Sequence, residues 1–228
     1  MAHCYADRRN WAASYEGGTM IATRIATAAL MAFVATAVSA QDTRVSVGSE
    51  SKLWIEGTSN LHGWSCKATT LDAAIDLDAV LAAQITTAPP KALKRVQVKV
   101  PVKSLKCGHD AMDNNLYKAL KADESAEISY ILATFEVVPG DMKDTFTLHT
   151  VGALTVAGSE NKIEMDITAT RLADGSVMAK GLVPIKMTDF GIKPPTAIFG
   201  RLKTGNEVKV NFELTIGAKA IAAAAAER

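Results

Sequence analysis

Beyond residue 41, hydrophobic and polar residues alternate with period two along most of the chain. In Val96-Gln97-Val98-Lys99-Val100-Pro101-Val102-Lys103, valine takes every even position and a polar residue or proline every odd one. Ile163–Thr168 and Val208–Ile216 repeat the plan. Successive side chains of a strand point to opposite faces, so each segment has one dry face and one wet face. That is the pattern of antiparallel sheet with one side against a core or cavity. Eight segments follow it, near 44–57, 65–78, 93–103, 126–138, 144–157, 161–172, 176–187 and 206–216. Pro139-Gly140-Asp141, Gly158-Ser159-Glu160-Asn161, Ala173-Asp174-Gly175 and Thr204-Gly205-Asn206 mark turns between the later ones, which predicts a meander. No βαβ alternation occurs, so the predicted class is all-β.

Several of these strands are long, and closing a sheet into a barrel removes edges that would otherwise invite aggregation. The predicted architecture is an eight-stranded antiparallel up-and-down barrel with one helix near its mouth. A two-sheet sandwich shares the same periodicity and stays open as an alternative. An eight-stranded barrel either fills its interior with side chains or holds one small ligand. The inward phase predicts a lining of Val96, Val98, Val100, Ile128, Tyr130, Leu132, Leu154, Ile163, Met165, Ile167, Val208, Val210, Phe212 and Leu214. The pattern alone fits a lined cavity and a solid core equally well.

Residues 109–122 break the period-two rule. Met112, Leu116, Ala119 and Leu120 fall on one helical stripe, and Asp110 and Asp113 suit the positive end of a helix dipole. This helix and the long loop from Ile192 to Gly205 are the expected mouth elements, with Met112, Leu116, Phe190 and Phe199 as rim residues. The Ala-rich tail 217–228 is marginal as an isolated helix in water and is expected to be a frayed appendage.

The uncharged run Ile25–Val38 follows Arg24 and leads to Val38-Ser39-Ala40, a small-residue cleavage pattern. It is short for a membrane span of about 20 apolar residues. The expected organisation is an N-terminal extension, a signal peptide over 20–40 with translation starting at Met20, a barrel domain over 41–216, and the tail. The whole chain carries 25 basic and 24 acidic residues. Removing residues 1–40 takes away Arg8, Arg9, Arg24, Asp7 and Glu16, and leaves the rest formally neutral. Such a balance argues against nucleic acid as a partner.

The chain has 3 cysteines, of which Cys66 and Cys107 follow the expected cleavage point. In an exported protein the simplest expectation is one disulfide between them. His62 and His109 lie close to the two cysteines in sequence, so a tetrahedral metal site is the competing reading, although the spacing is not that of a standard finger. His149 is out of phase with Leu148 and is expected to face solvent, and His62 is expected to orient the turn it occupies. The chain lacks Gly-x-Ser-x-Gly, His-Glu-x-x-His, a phosphate loop and Gly-x-Gly-x-x-Gly. No acid, base or nucleophile stands out, and no enzymatic activity is expected.

Leu53-Trp54-Ile55-Glu56-Gly57-Thr58-Ser59-Asn60-Leu61-His62-Gly63-Trp64 resembles the opening strand and turn of the YceI-like family. The valine strand into Ser104-Leu105, Met112-Asp113-Asn114-Asn115-Leu116, Val151–Gly158 and Asp189-Phe190-Gly191-Ile192 with Gly205–Val208 resemble its later motifs in the same order. The resemblance spans about Thr43 to Ile216. It implies an exported, lipocalin-like barrel that holds a long isoprenoid chain, such as a polyprenyl or quinone tail. The Cys pair and the insertion Ala79–Lys91 depart from the commonest pattern. The leading expectation is therefore a periplasmic or secreted binding protein for an apolar, lipid-like guest, with no other cofactor and with transient membrane contact open. The competing expectations are an interaction module with a filled barrel, and a redox-linked protein using Cys66 and Cys107.

Overall fold

β-branched and aliphatic residues at alternate positions fit one pleated, half-buried surface, and among the described residues the strands follow most of that alternation. The computed structural model describes residues 42–78, 93–197 and 199–226. The expected N-terminal extension, the signal peptide over 20–40 and the insertion 79–91 lie outside the described residues. The strands are β1 (Asp42–Ser46), β2 (Lys52–Ser59), β3 (Gly63–Ala68), β4 (Asp72–Asp78), β5 (Leu93–Pro101), β6 (Leu105–Lys106), β7 (Glu127–Pro139), β8 (Thr145–Val156), β9 (Ser159–Arg171), β10 (Val177–Lys186), β11 (Thr196–Ala197) and β12 (Leu202–Ile216). Helices α1 (Asp110–Ala119) and α2 (Ala218–Ala226) follow β6 and β12, and short 3-10 turns lie at Val102–Ser104 and Met187–Phe190.

Among the described residues, twelve strands replace the expected eight, for a simple reason. The segments near 44–57 and 65–78 each bend once, at 47–51 and 69–71, and so count as β1 with β2 and β3 with β4. The third segment turns through Val102–Ser104 into the short β6, and β11 is a two-residue addition. The ladders run β1-β4-β5-β7-β8-β9-β10-β12-β2-β3-β6, with all pairings antiparallel. Because β1 continues into β2, β3 into β4, and β5 into β6, the two ends of that path are the same three bent strands. Taken as single strands, they close an eight-stranded up-and-down barrel in which the last strand, β12, pairs with β2. A sandwich of two separate sheets is thereby excluded.

The bends are held by specific bonds. Thr69 donates from its N–H (2.9 Å) and its hydroxyl (3.0 Å) to the Ser104 carbonyl, Ser104 Oγ donates to the Thr70 carbonyl (3.2 Å), and the Val102 N–H reaches the Ala126 carbonyl (2.8 Å). The wall loosens at one place. The β9–β10 ladder ends at Gly181 opposite Ile167, and the rest of β10 has no β9 partner. Pro184, which has no N–H to donate, lies in that stretch, which keeps β12 as its partner on the other edge.

Apolar clusters gather toward both ends. At the α1 end, Val100, Val102, Leu105, Leu120, Val156, Met187, Phe190 and Ile192 pack together. At the other end, Val45, Ile75, Leu77 and Ile221 form a second cluster. Ile221 and Ala220 belong to α2, so the tail is not the frayed appendage that its isolated propensity suggests. Packing of one helical face supplies the stability that a helix of this length lacks alone.

Helix α1 is fixed to the barrel. Asp113, buried on its first turn, accepts the Cys107 N–H at 2.7 Å and sits 3.4 Å from Lys106 Nζ. The Tyr117 hydroxyl lies 2.9 Å from the Leu105 carbonyl and accepts from Lys106 Nζ at 2.8 Å. Cys66 on β3 and Cys107 form a disulfide with a sequence separation of 41. It joins the β3 wall to the segment that leads into α1. In the chain-entropy account, a loop of that size contributes about 4 kcal/mol by restricting the unfolded chain. The Cys66→Ala/Cys107→Ala variant is expected to lose most of this in urea unfolding. An unchanged midpoint and slope would show that the bridge does not hold the fold.

Candidate ligand-binding cavity

The barrel holds a cavity of about 350 Å3, and most of the α1-end cluster lines it. Of the expected lining, Val96, Val98, Val100, Ile128, Tyr130, Leu154, Ile163, Met165, Ile167, Val208, Val210, Phe212 and Leu214 all face it. Leu132 does not line the cavity. It sits at the register shift between Leu132 and Thr134, where an extra residue in β7 breaks the inward phase. At the rim, Met112, Leu116 and Phe190 line the cavity as expected, and Phe199 does not: its side chain is fully exposed on the β11–β12 turn.

The structure adds wall residues that the pattern left aside. Leu53 and Ile55 come from β2, Trp64 and Cys66 from β3, and Val183 and Ile185 from β10. Leu53-Trp54-Ile55-Glu56 carried the alternation that would have placed the β2 pair. The β10 stretch Gly181-Leu182-Val183-Pro184-Ile185 is apolar on both faces, and only the fold assigns Leu182 outward, where it is exposed. Met165 and Val183 line both the cavity and a second hollow beside the stretch of β10 that has no β9 partner.

Of the aromatic rings that border the cavity, three lie over a glycine of the wall. The Trp64 ring covers its cross-strand partner Gly57, Phe212 covers its partner Gly181, and Tyr130 covers Gly152 on the neighbouring strand. A Cβ at any of these glycines would collide with the ring above it. The absence of side chains there lets the rings lie flat against the sheet, and the lumen stays open.

Polar side chains gather at the α1 end, where Ser59, His62, Asn115, Thr196 and Thr204 join the lining. Deeper in the barrel, the Tyr130 hydroxyl is buried with no hydrogen-bond partner. Burial pushes its pKa up. The nearby Thr150 hydroxyl, which donates to the Met165 carbonyl at 2.8 Å and keeps its lone pairs free to accept, offsets part of that rise.

The remaining candidates fall into structural roles. His62 Nδ1 lies 2.7 Å from the Gly63 carbonyl within its own turn. His149 is on the outer wall, 2.6 Å from Asp166, in an exposed pair. Among the described residues no group of three or more His, Cys, Asp or Glu is arranged to hold a metal ion. The site's chemistry is therefore that of a largely apolar pocket with a polar edge, the usual make-up of a small-molecule binding site.

The fold has solved relatives. A crystal structure of BcnA from Burkholderia cenocepacia superposes with a TM-score of 0.57 at 15% identity, over 74% of this chain and 98% of that one. A polyisoprenoid-binding domain from Saccharophagus degradans, implicated in plant cell wall breakdown, superposes with a TM-score of 0.57 at 13% identity, over 78% of this chain and 99% of that one. At these identities the likeness is one of fold. No curated protein matches the chain in sequence. The family model described as YceI-like domain matches residues 40–216. The barrel, its lumen and that match agree: the chain belongs to the YceI-like family.

Proposed function

We propose that this protein is an exported carrier that holds a long apolar guest of isoprenoid type, a polyprenyl or prenyl-quinone tail, inside its barrel. The observation that carries the reading is the lumen itself: aliphatic and aromatic walls through its depth, with polar side chains collected at the α1 end. A hydrocarbon tail would lie along the walls, and a more polar head group would meet Ser59, His62, Asn115, Thr196 and Thr204. The polyisoprenoid-binding description of the Saccharophagus degradans domain supports the same class of guest.

The driving force is removal of hydrocarbon from water, roughly 0.8 kcal/mol for each buried methylene. Ordering the guest and desolvating its polar groups offset part of that gain. A wall of this kind reads length and shape, so discrimination between head groups falls to the polar end. Export fits the Cys66–Cys107 disulfide, since such bonds persist in oxidising compartments. Among the described residues, no helix is long and apolar enough to cross a membrane.

Native mass spectrometry after gentle extraction is expected to show an added mass of a prenylated lipid, and guest-free protein is expected to take up a prenyl quinone. Protein that neither retains nor acquires a guest would overturn the proposal.

Two substitutions test the lumen directly. Val98→Trp and Gly181→Val, the second by tipping the Phe212 ring inward, should each displace part of the guest. Displacing even two methylenes corresponds to about 1.6 kcal/mol, roughly a tenfold loss of affinity. Unchanged uptake in both variants would place the guest elsewhere.

Tyr130→Phe removes a buried hydroxyl that has no partner, a group that costs about 1–3 kcal/mol when left unsatisfied. Guest-free Tyr130→Phe protein should melt at the same temperature as the parent or higher. A clear drop would mean that the hydroxyl is hydrogen-bonded in the folded protein.

A further inference from the structure

At the α1 end of the barrel, two turns carry apolar side chains into water. The β2–β3 turn sets Leu61 near its tip, 69% exposed, and the β11–β12 turn sets Phe199 at its tip, 108% exposed. Neither is a loose end. Ser59 Oγ accepts the N–H groups of Leu61 (3.3 Å) and His62 (3.1 Å) and donates to the His62 carbonyl (2.8 Å), which closes the first turn. Asn60 then binds the two turns together. Its N–H donates to the Lys203 carbonyl (3.0 Å), its Nδ2 donates to the Arg201 carbonyl (2.8 Å), and its Oδ1 accepts the Lys203 N–H (2.9 Å).

Phe199 carries two penalties. Its φ is 51°, in the left-handed region, and Gly200 follows at 81°. Consecutive residues of positive φ are the province of Asn-Gly and Gly-Gly in tight hairpins, and a bulky aromatic there is an outlier. Its ring is also wholly in water. One exposed apolar side chain is ordinary, as Met142 shows at 70% exposure in the β7–β8 turn. Backbone strain combined with an unburied ring is the mark of a side chain whose partner lies outside the fold.

The loop that carries Phe199 has charge of one sign. From Gly191 to Gly205 the chain carries Lys193, Arg201 and Lys203 and no Asp or Glu, with Asp189 and Glu207 outside this stretch. All three cations are exposed, and among the described residues none is paired with a carboxylate. The neighbours of the tips, Ser59, His62, Leu202 and Thr204, line the cavity. Two separate apolar knobs among cations fit a lipid interface, where an aromatic and a leucine sink below the head groups and Lys and Arg remain among them. An anionic head-group layer supplies the complementary charge.

We propose that this rim docks on an anionic lipid bilayer, with Phe199 and Leu61 entering the interface and Lys193, Arg201 and Lys203 meeting the head groups. Docking brings the polar end of the lumen against the membrane. It rests on the carrier reading only for its purpose, since the patch binds lipid whether or not the barrel is loaded.

Flotation with vesicles of phosphatidylcholine, with and without phosphatidylglycerol, tests it. The parent protein should bind the mixed vesicles, weakly at high salt, and bind pure phosphatidylcholine poorly. Leu61→Ser with Phe199→Ser, and separately Arg201→Gln with Lys203→Gln, should each lower that binding by about tenfold or more. Phe199→Gly should weaken binding yet raise the melting temperature, because it relieves the strained turn. In a Cys4→Ser background, an environment-sensitive dye on Phe199→Cys should brighten with mixed vesicles, and the same dye on Met142→Cys should not.

Equal binding by parent and variants, no binding by the parent, or equal brightening at both sites would overturn the proposal. So would loss of a protein partner in the patch variants with vesicle binding unchanged. Uptake of a short prenyl quinone from solution, measured without vesicles, separates the two readings. Uptake without vesicle binding removes docking alone, and vesicle binding without uptake removes the carrier alone.

Discussion

An interior that is apolar and yet not filled by its own side chains is the constraint from which the rest of this structure follows. Protein cores ordinarily reach crystal-like packing density, and each void forfeits contacts. Here the middle of the barrel forgoes that packing, and the stabilising contacts move elsewhere. They move into continuous antiparallel ladders, into dense clusters at both ends, and into the Cys66–Cys107 bridge. Three glycines keep the lumen clear by letting Trp64, Tyr130 and Phe212 lie against the sheet.

The two ends differ in what closes them. One is sealed by α2, whose Ile221 is buried against Val45, Ile75 and Leu77. The other is covered by α1 and the 3-10 turn at Met187–Phe190, and it alone gathers polar side chains around the lumen. Asp113, Tyr117 and the disulfide secure α1. A guest with a hydrocarbon tail and a polar head meets a matching asymmetry in the protein. The exposed Phe199 stands at that same end, as do Arg201 and Lys203, which among the described residues pair with no carboxylate, so the two ends differ in chemistry as well as in closure.

Much of the site was legible because a strand has a strict period. Once Val98 faces in, Val96 and Val100 must as well, and the same holds for Ile163, Met165 and Ile167. The errors fall where that arithmetic is interrupted. Leu132 sits at a bulge, and a single inserted residue cancels the phase. Phe199 stands on the mouth loop, as its aromatic character and position suggest, but its side chain is in solvent rather than in the lumen. The Ala-rich tail departs from its isolated expectation because helix propensity is local, whereas the burial of Ile221 is supplied by strands far away in the chain.

The alternation of residue types by itself determined the antiparallel, one-faced strands, their eightfold number once bends are allowed for, and which side of most strands is dry. Order and spacing of short motifs determined the family. Closure into a barrel, the hollow rather than packed interior, and the gathering of polar groups at one end were decided only in three dimensions. The reason is physical: periodicity states which face of a strand avoids water, and that face avoids water equally well against a neighbour's side chain or around an open lumen. Which of the two occurs depends on where rings and glycines from different strands meet.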